Sequence, residues 1–127
     1  MALFHTDFLS LACSNVQAQK QWWITTFDAK EATMPEDWDD PLPTDVAIKL
    51  PWSEHPTILL SERAAVVPAG YERVSDHLLL FTSNLKKAHE HLLARNVAVG
   101  PIQDGGGTQF FEIRDPEGNV IEICKET

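Results

Sequence analysis

The chain repeats itself. Residues 8–24 read FLSLACSNVQAQKQWWI, and residues 77–93 read HLLLFTSNLKKAHEHLL. Aligned without gaps, each copy gives an apolar strand, a Ser-Asn pair and an amphipathic helix. An apolar run suits a buried strand, Asn caps the free N–H groups of a first helical turn, and apolar residues then recur at helical spacing. Two copies of one plan within 127 residues make a single domain of two similar halves, residues 1–70 and 71–127, with a cleft between them. The copies differ at one position that bears on chemistry: Phe8 stands where the second copy has His77.

The rest of each half follows the same order. In the first, strands are expected over residues 4–13, 45–50 and 57–62, with a helix to about Phe27 and a further short strand inside the Pro- and acid-rich stretch 28–44. Residues 64–71, containing Pro68-Ala69-Gly70, read as the connector. In the second half, strands are expected over 76–82, 97–102, 108–114 and 120–125, with a helix from Asn84 to Asn96 and a flexible turn at residues 104–107. The last two strands enclose Asp115-Pro116-Glu117-Gly118-Asn119, where Pro suits the second position of a type I turn and Gly the positive φ that follows. Each half is strand-helix-strand-strand-strand.

A formal net charge of -9 argues against a nucleic-acid partner, which needs a basic footprint, and against an anionic membrane surface. No apolar run is long enough to span a bilayer and no signal peptide is visible, so a cytoplasmic location is expected. Cys13 and Cys124 have no paired spacing and read as reduced, semi-buried thiols.

Paired strand-helix-strand-strand-strand halves, a Ser-Asn helix start in each, and the terminal FEIRDPEGNVIEI resemble the vicinal oxygen chelate superfamily. This group includes glyoxalase I, extradiol dioxygenases, fosfomycin-resistance enzymes and bleomycin-resistance binding proteins. The likeness covers essentially the whole chain. It implies an α+β fold in which two βαβββ modules form an incomplete eight-stranded barrel around a cleft, and it implies a homodimer. In metal-bearing members one ligand comes from the first strand of a module, another from the first strand of its partner, and a Glu from the last strand. Those positions correspond here to Phe8, His77 and Glu122.

Side chains alternate across a strand. Ile121 and Ile123 then lie under the helices, and Val120, Glu122 and Cys124 point into the cleft with His77, Leu79 and Phe81. Imidazole and carboxylate on one surface suit a single divalent ion such as Zn, Ni, Mn or Fe(II), but a catalytic metal takes at least three protein ligands. Phe8 cannot ligate. His5 would complete the set only if a bulge turned it inward, since three residues of regular strand place it on the opposite face. Without metal, Glu122 could serve as a general base.

Trp38 lies among four carboxylates in Pro35-Glu36-Asp37-Trp38-Asp39-Asp40. It could hold a cationic or aromatic ligand, or plug a dimer contact. Trp52 reads as lining the cleft mouth, and Arg114 as binding a ligand carboxylate or pairing with Asp115 or Glu112. His89 and His91 read as solvated. Two functions follow. The first is a small-molecule-binding protein resembling the bleomycin-resistance group, with the ligand held by Phe8, Ser10, Trp38, Trp52, Leu79, Phe81 and Arg114. The second is a metal-dependent lyase, isomerase, dioxygenase or transferase acting on a substrate with two adjacent oxygens, with His77, Glu122 and His5 as ligands.

Overall fold

A computed structural model of the chain describes residues 3–38, 43–66 and 78–126. The first half contains β1 (Leu9–Cys13), α1 (Val16–Phe27), β2 (Lys30–Ala32), β3 (Val46–Lys49), β4 (Ile58–Glu62) and the short α2 (Arg63–Val66). The second contains β5 (Leu78–Thr82), α3 (Leu85–Ala94), β6 (Gln103–Gly105), β7 (Thr108–Arg114) and β8 (Val120–Lys125). Each half forms one four-stranded sheet, ordered β1-β4-β3-β2 and β5-β8-β7-β6. In both, the first strand pairs parallel with the last and the remaining pairs are antiparallel. The sequence repeat is thus a structural repeat, and the two sheets are open. The boundary expected at residues 70 and 71 lies outside the described residues.

The helices start where the Ser-Asn pairs predict. Asn15 Oδ1 accepts the Ala18 N–H and Asn84 Oδ1 accepts the Lys87 N–H, both at 3.0 Å. Satisfying the first-turn donors in this way stabilises each helix by about 1 kcal/mol. Of the Trp22-Trp23 pair, Trp23 is fully buried and stacks on Phe27 with ring centroids 4.8 Å apart. Leu9, Leu11, Ile48, Ile58 and Leu60 from the first sheet join Leu80, Phe111, Ile113, Ile121 and Ile123 from the second in one core with both helices. The alternating residues face away from the helices, and it is these that can meet a ligand.

The two sheets meet through the chain before β1. His5 N–H donates to the Phe81 carbonyl at 2.9 Å, and Phe81 N–H returns the bond at 2.7 Å. The Thr6 hydroxyl donates to the Leu79 carbonyl. The regular strand expected from residue 4 therefore begins only at Leu9, because residues 4–7 are taken up as a separate short pairing against β5.

The terminal hairpin joins the halves on the helix side. Asp115, only 6% exposed, accepts hydrogen bonds from Glu117 N–H, Asn119 N–H, Asn119 Nδ2 and Gln19 Nε2 at 2.8–3.0 Å. Gln19 is a buried residue of α1. Glu117 Oε1 accepts the Ser14 N–H at 2.8 Å. The DPEGN motif is therefore more than a turn: its first carboxylate organises the loop and latches it to the other half.

A second joint lies at the helix C-termini. His91 Nε2 is 3.0 Å from the Thr26 carbonyl, and Arg95 faces both His91 Nδ1 and the Asp28 carboxylate. Arginine can only donate, so Nδ1 accepts and the imidazole is the neutral Nε2–H form. His89 Nε2 likewise sits 3.0 Å from the Gly100 carbonyl. Neither histidine is solvated as the sequence suggests; both are partly buried, and helix packing overrides their polar character. One strand also falls elsewhere. The expected strand at 97–102 is a single bridge, Val99 to Ile113, and β6 follows at Gln103–Gly105. Pro101 has no N–H to give a ladder. Among the described residues, no helix is long and apolar enough to cross a membrane.

Candidate ligand-binding site

The helix-free face of the second sheet is built in rows by strand register. Leu79, Glu122 and Glu112 lie side by side across β5, β8 and β7. The next row is Phe81, Cys124, Phe110 and Gln103, extended at one end by His5, which pairs with Phe81. The alternation predicted for Leu79, Phe81, Val120, Glu122 and Cys124 holds, since Leu80, Ile121 and Ile123 are buried on the other face. Directly opposed carboxylates such as Glu112 and Glu122 disfavour a sheet pair by up to about 1 kcal/mol.

Against these rows lies a cavity of about 550 Å³ lined by His5, Asp7, Leu79, Phe81, Thr108, Cys124, Lys125 and Glu126. Its floor is apolar and its rim charged, and the volume falls in the range of small-molecule sites. His5 stacks on Phe81 at 5.6 Å between centroids, and its Nδ1 lies 2.5 Å from Glu126 Oε1. Regular alternation would put His5 and Leu9 on the same face. The irregular backbone between them breaks that count, so His5 faces the cavity while Leu9 enters the core. Glu126, its partner, was not signalled by the sequence, because its position depends on how residues 4–7 dock. Cys124 also lines this cavity, and burial followed by the nearby Glu122 carboxylate raises its thiol above the usual range.

The first sheet offers a different surface. Ser10, Ala12, Ala47, Leu59 and Ser61 alternate with the core residues yet are themselves covered, Ser10 to 1% exposure. Open surface is found at the end of the sheet. Phe8 is 46% exposed, and the Trp38 indole meets it edge-on at 5.3 Å. These two residues, singled out separately in the sequence, are brought together. Trp52 is 77% exposed, with φ +65°, on the turn closed by Ser53 N–H to Leu50 O. That left-handed conformation is unusual for a bulky residue. Arg114 is not drawn to Asp115: its Nη1 donates to the Gly118 carbonyl at 3.2 Å, bracing the hairpin loop.

Of the metal set implied by the resemblance, only His5 and Glu122 fall among the described residues. Among the described residues, no group of three or more His, Cys, Asp or Glu is placed to hold an ion. Phe8 occupies the first-strand position, and His5 is engaged by Glu126 in a different row from Glu122. His77 lies outside the described residues, as do Asp39 and Asp40 beside Trp38.

No protein-family model matches the chain, and no curated protein matches it. Solved structures do. A member of the glyoxalase/bleomycin resistance protein/dioxygenase superfamily from Sphaerobacter thermophilus superposes with a TM-score of 0.69 at 18% identity, over 96% of this chain and 97% of that one. An antibiotic-binding protein from a Streptomyces species gives 0.68 at 19% identity, over 100% and 99%. A glyoxalase/bleomycin resistance protein, also from Streptomyces, gives 0.64 at 18%, over 92% and 96%. With end-to-end coverage of both partners, the chain has the fold of the vicinal oxygen chelate proteins that its repeat and terminal motif resemble.

Proposed function

We propose that the protein binds a small, partly aromatic molecule without transforming it, seating it against Leu79 and Phe81 with the Phe8–Trp38 pair at the rim. The observation that carries this reading is the cavity itself. Its floor is formed by Leu79 and Phe81, which the strands hold away from the core. Phe8 supports it: an aromatic ring stands where a metal-bearing relative would supply a ligand, next to Asp7 on the cavity wall. That a chain of the same fold is described as antibiotic-binding supports it further. In this reading Glu122 lies beside Leu79, next to the cavity floor.

The test uses naphthamide, a neutral aromatic probe, in calorimetric titration. Phe8→Ala is expected to weaken binding about tenfold, the value of one aromatic contact with its buried area. Stability should change by less than about 1 kcal/mol, because Phe8 is 46% exposed. Unchanged affinity in Phe8→Ala and in Phe81→Ala would refute the reading.

A further inference from the structure

The first sheet carries an arrangement that its composition does not favour. Lys30 of β2 and Lys49 of β3 are directly opposed in the register. Glu31, between Lys30 and Ala32, turns to the helix side, where Lys20 of α1 holds it at 3.0 Å. Lys30 and Lys49 therefore project from the helix-free face. Like charges directly opposed on a sheet disfavour the pairing. The chain has 19 Asp and Glu against 10 Lys and Arg, so a carboxylate partner for either lysine would be easy to supply. Yet among the described residues Lys20 and Arg95 are ion-paired, whereas Lys30 and Lys49 are not.

The row continues inward. The Thr57 N–H bonds the Ile48 carbonyl and its own carbonyl accepts the Leu9 N–H, which sets Thr57 between Lys49 and Phe8. The Thr57 hydroxyl is shielded and has no hydrogen-bond partner among the described residues. A shielded hydroxyl without a partner is costly, on the order of 1–3 kcal/mol. One row thus presents an aromatic ring already contacted by Trp38, a hydroxyl and two ammonium groups. Local rules are most often broken where function requires it.

We propose that this row receives the anionic end of the ligand: a carboxylate or comparable oxyanion, carried on an aromatic body, held by Lys30 and Lys49 with the Thr57 hydroxyl as a further donor. The inference rests on the cleft-binding reading above and names the chemical class of its ligand. It runs against the bulk charge of -9, which by itself would point to a cation. The opposed Glu112–Glu122 pair on the other sheet is the surface a cationic ligand would prefer.

The experiment compares naphthoate, naphthamide and naphthylmethylammonium on the whole chain. Naphthoate is expected to bind at least about tenfold more tightly than naphthamide, as a charge-assisted contact in a partly shielded site allows. In the Lys30→Gln/Lys49→Gln variant that advantage should vanish, with naphthamide binding unchanged. The variant should be at least as stable as the parent, since a repulsion is removed. Equal binding of naphthoate and naphthamide, or an advantage that survives the double substitution, would overturn the inference while leaving the cleft reading intact. Tightest binding of naphthylmethylammonium would transfer the charged contact to Glu112 and Glu122 and overturn it as well. A destabilised Lys30→Gln/Lys49→Gln variant would show the ammonium groups to be structural and overturn it too. No binding of any of the three probes would overturn both the inference and the cleft reading.

Discussion

Replacing Asp115 with alanine is expected to destabilise the protein by about 3 kcal/mol, the largest effect of any single polar substitution proposed for this chain. The carboxylate is 6% exposed and accepts four hydrogen bonds, from Glu117, Asn119 (twice) and Gln19. Alanine strands all four donors. The loop donors can turn partly to water, which limits the cost there. The Gln19 amide cannot, because Gln19 lies 1% exposed in α1. Asp115→Asn retains the shape but sets an amide N–H₂ or a weaker acceptor against the donors, and about 2 kcal/mol is expected. Urea unfolding measures both. A double-mutant cycle with Gln19→Ala should give a coupling of about 1 kcal/mol or more, because the contact bridges the two halves. A loss below about 0.5 kcal/mol in Asp115→Ala, no more than an exposed substitution such as Glu112→Ala, would show that the latch contributes little.

The second large effect appears at alkaline pH. Cys13 is fully buried in β1, and its thiol is pushed up from 9.0 to about 12, by burial first and then by the Glu117 and Asp115 carboxylates. In the unfolded chain the thiol ionises near its ordinary value; in the folded chain it remains protonated. Below about pH 9 both states hold the proton, and Cys13 contributes its full stabilisation. Between about pH 9 and about pH 12 the unfolded state gains by ionising while the folded state does not, so stability falls as pH rises. Three units correspond to a loss of about 4 kcal/mol at most. Cys13→Ala lacks this ionisation. The stability of wild type relative to Cys13→Ala should therefore decline by about 1.4 kcal/mol per pH unit across that window. A difference that stays constant with pH would show that the thiol ionises freely in the folded protein.

Much of the architecture is legible in the repeat, because strand alternation and Asn capping are local. The same two rules assign Leu79, Phe81, Glu122 and Cys124 to one face. Legibility fails where a tertiary contact decides. His5 and Leu9 fall on opposite faces because residues 4–7 dock on β5, and nothing local to the sequence announces that break. Asp115 reads as turn chemistry; that its Oδ2 would also accept from Gln19, 96 residues away, follows only from how the halves pack. Lys30 opposite Lys49 is invisible because β2 has three residues inside an acid-rich stretch, too short for its register to be read. Arg114 reads as a ligand or salt-bridge residue, yet the loop carbonyl of Gly118 lies closer to hand.

A small molecule is proposed to sit on the helix-free faces at the junction of the two sheets. Backbone amide chemical shifts recorded with and without saturating naphthoate test it most directly. The largest shifts are expected at Phe8, Leu79, Phe81, Cys124 and Lys49, with the outward faces of α1 and α3 unmoved. Shifts centred on those helix surfaces, with Phe81 and Cys124 unchanged, would contradict it.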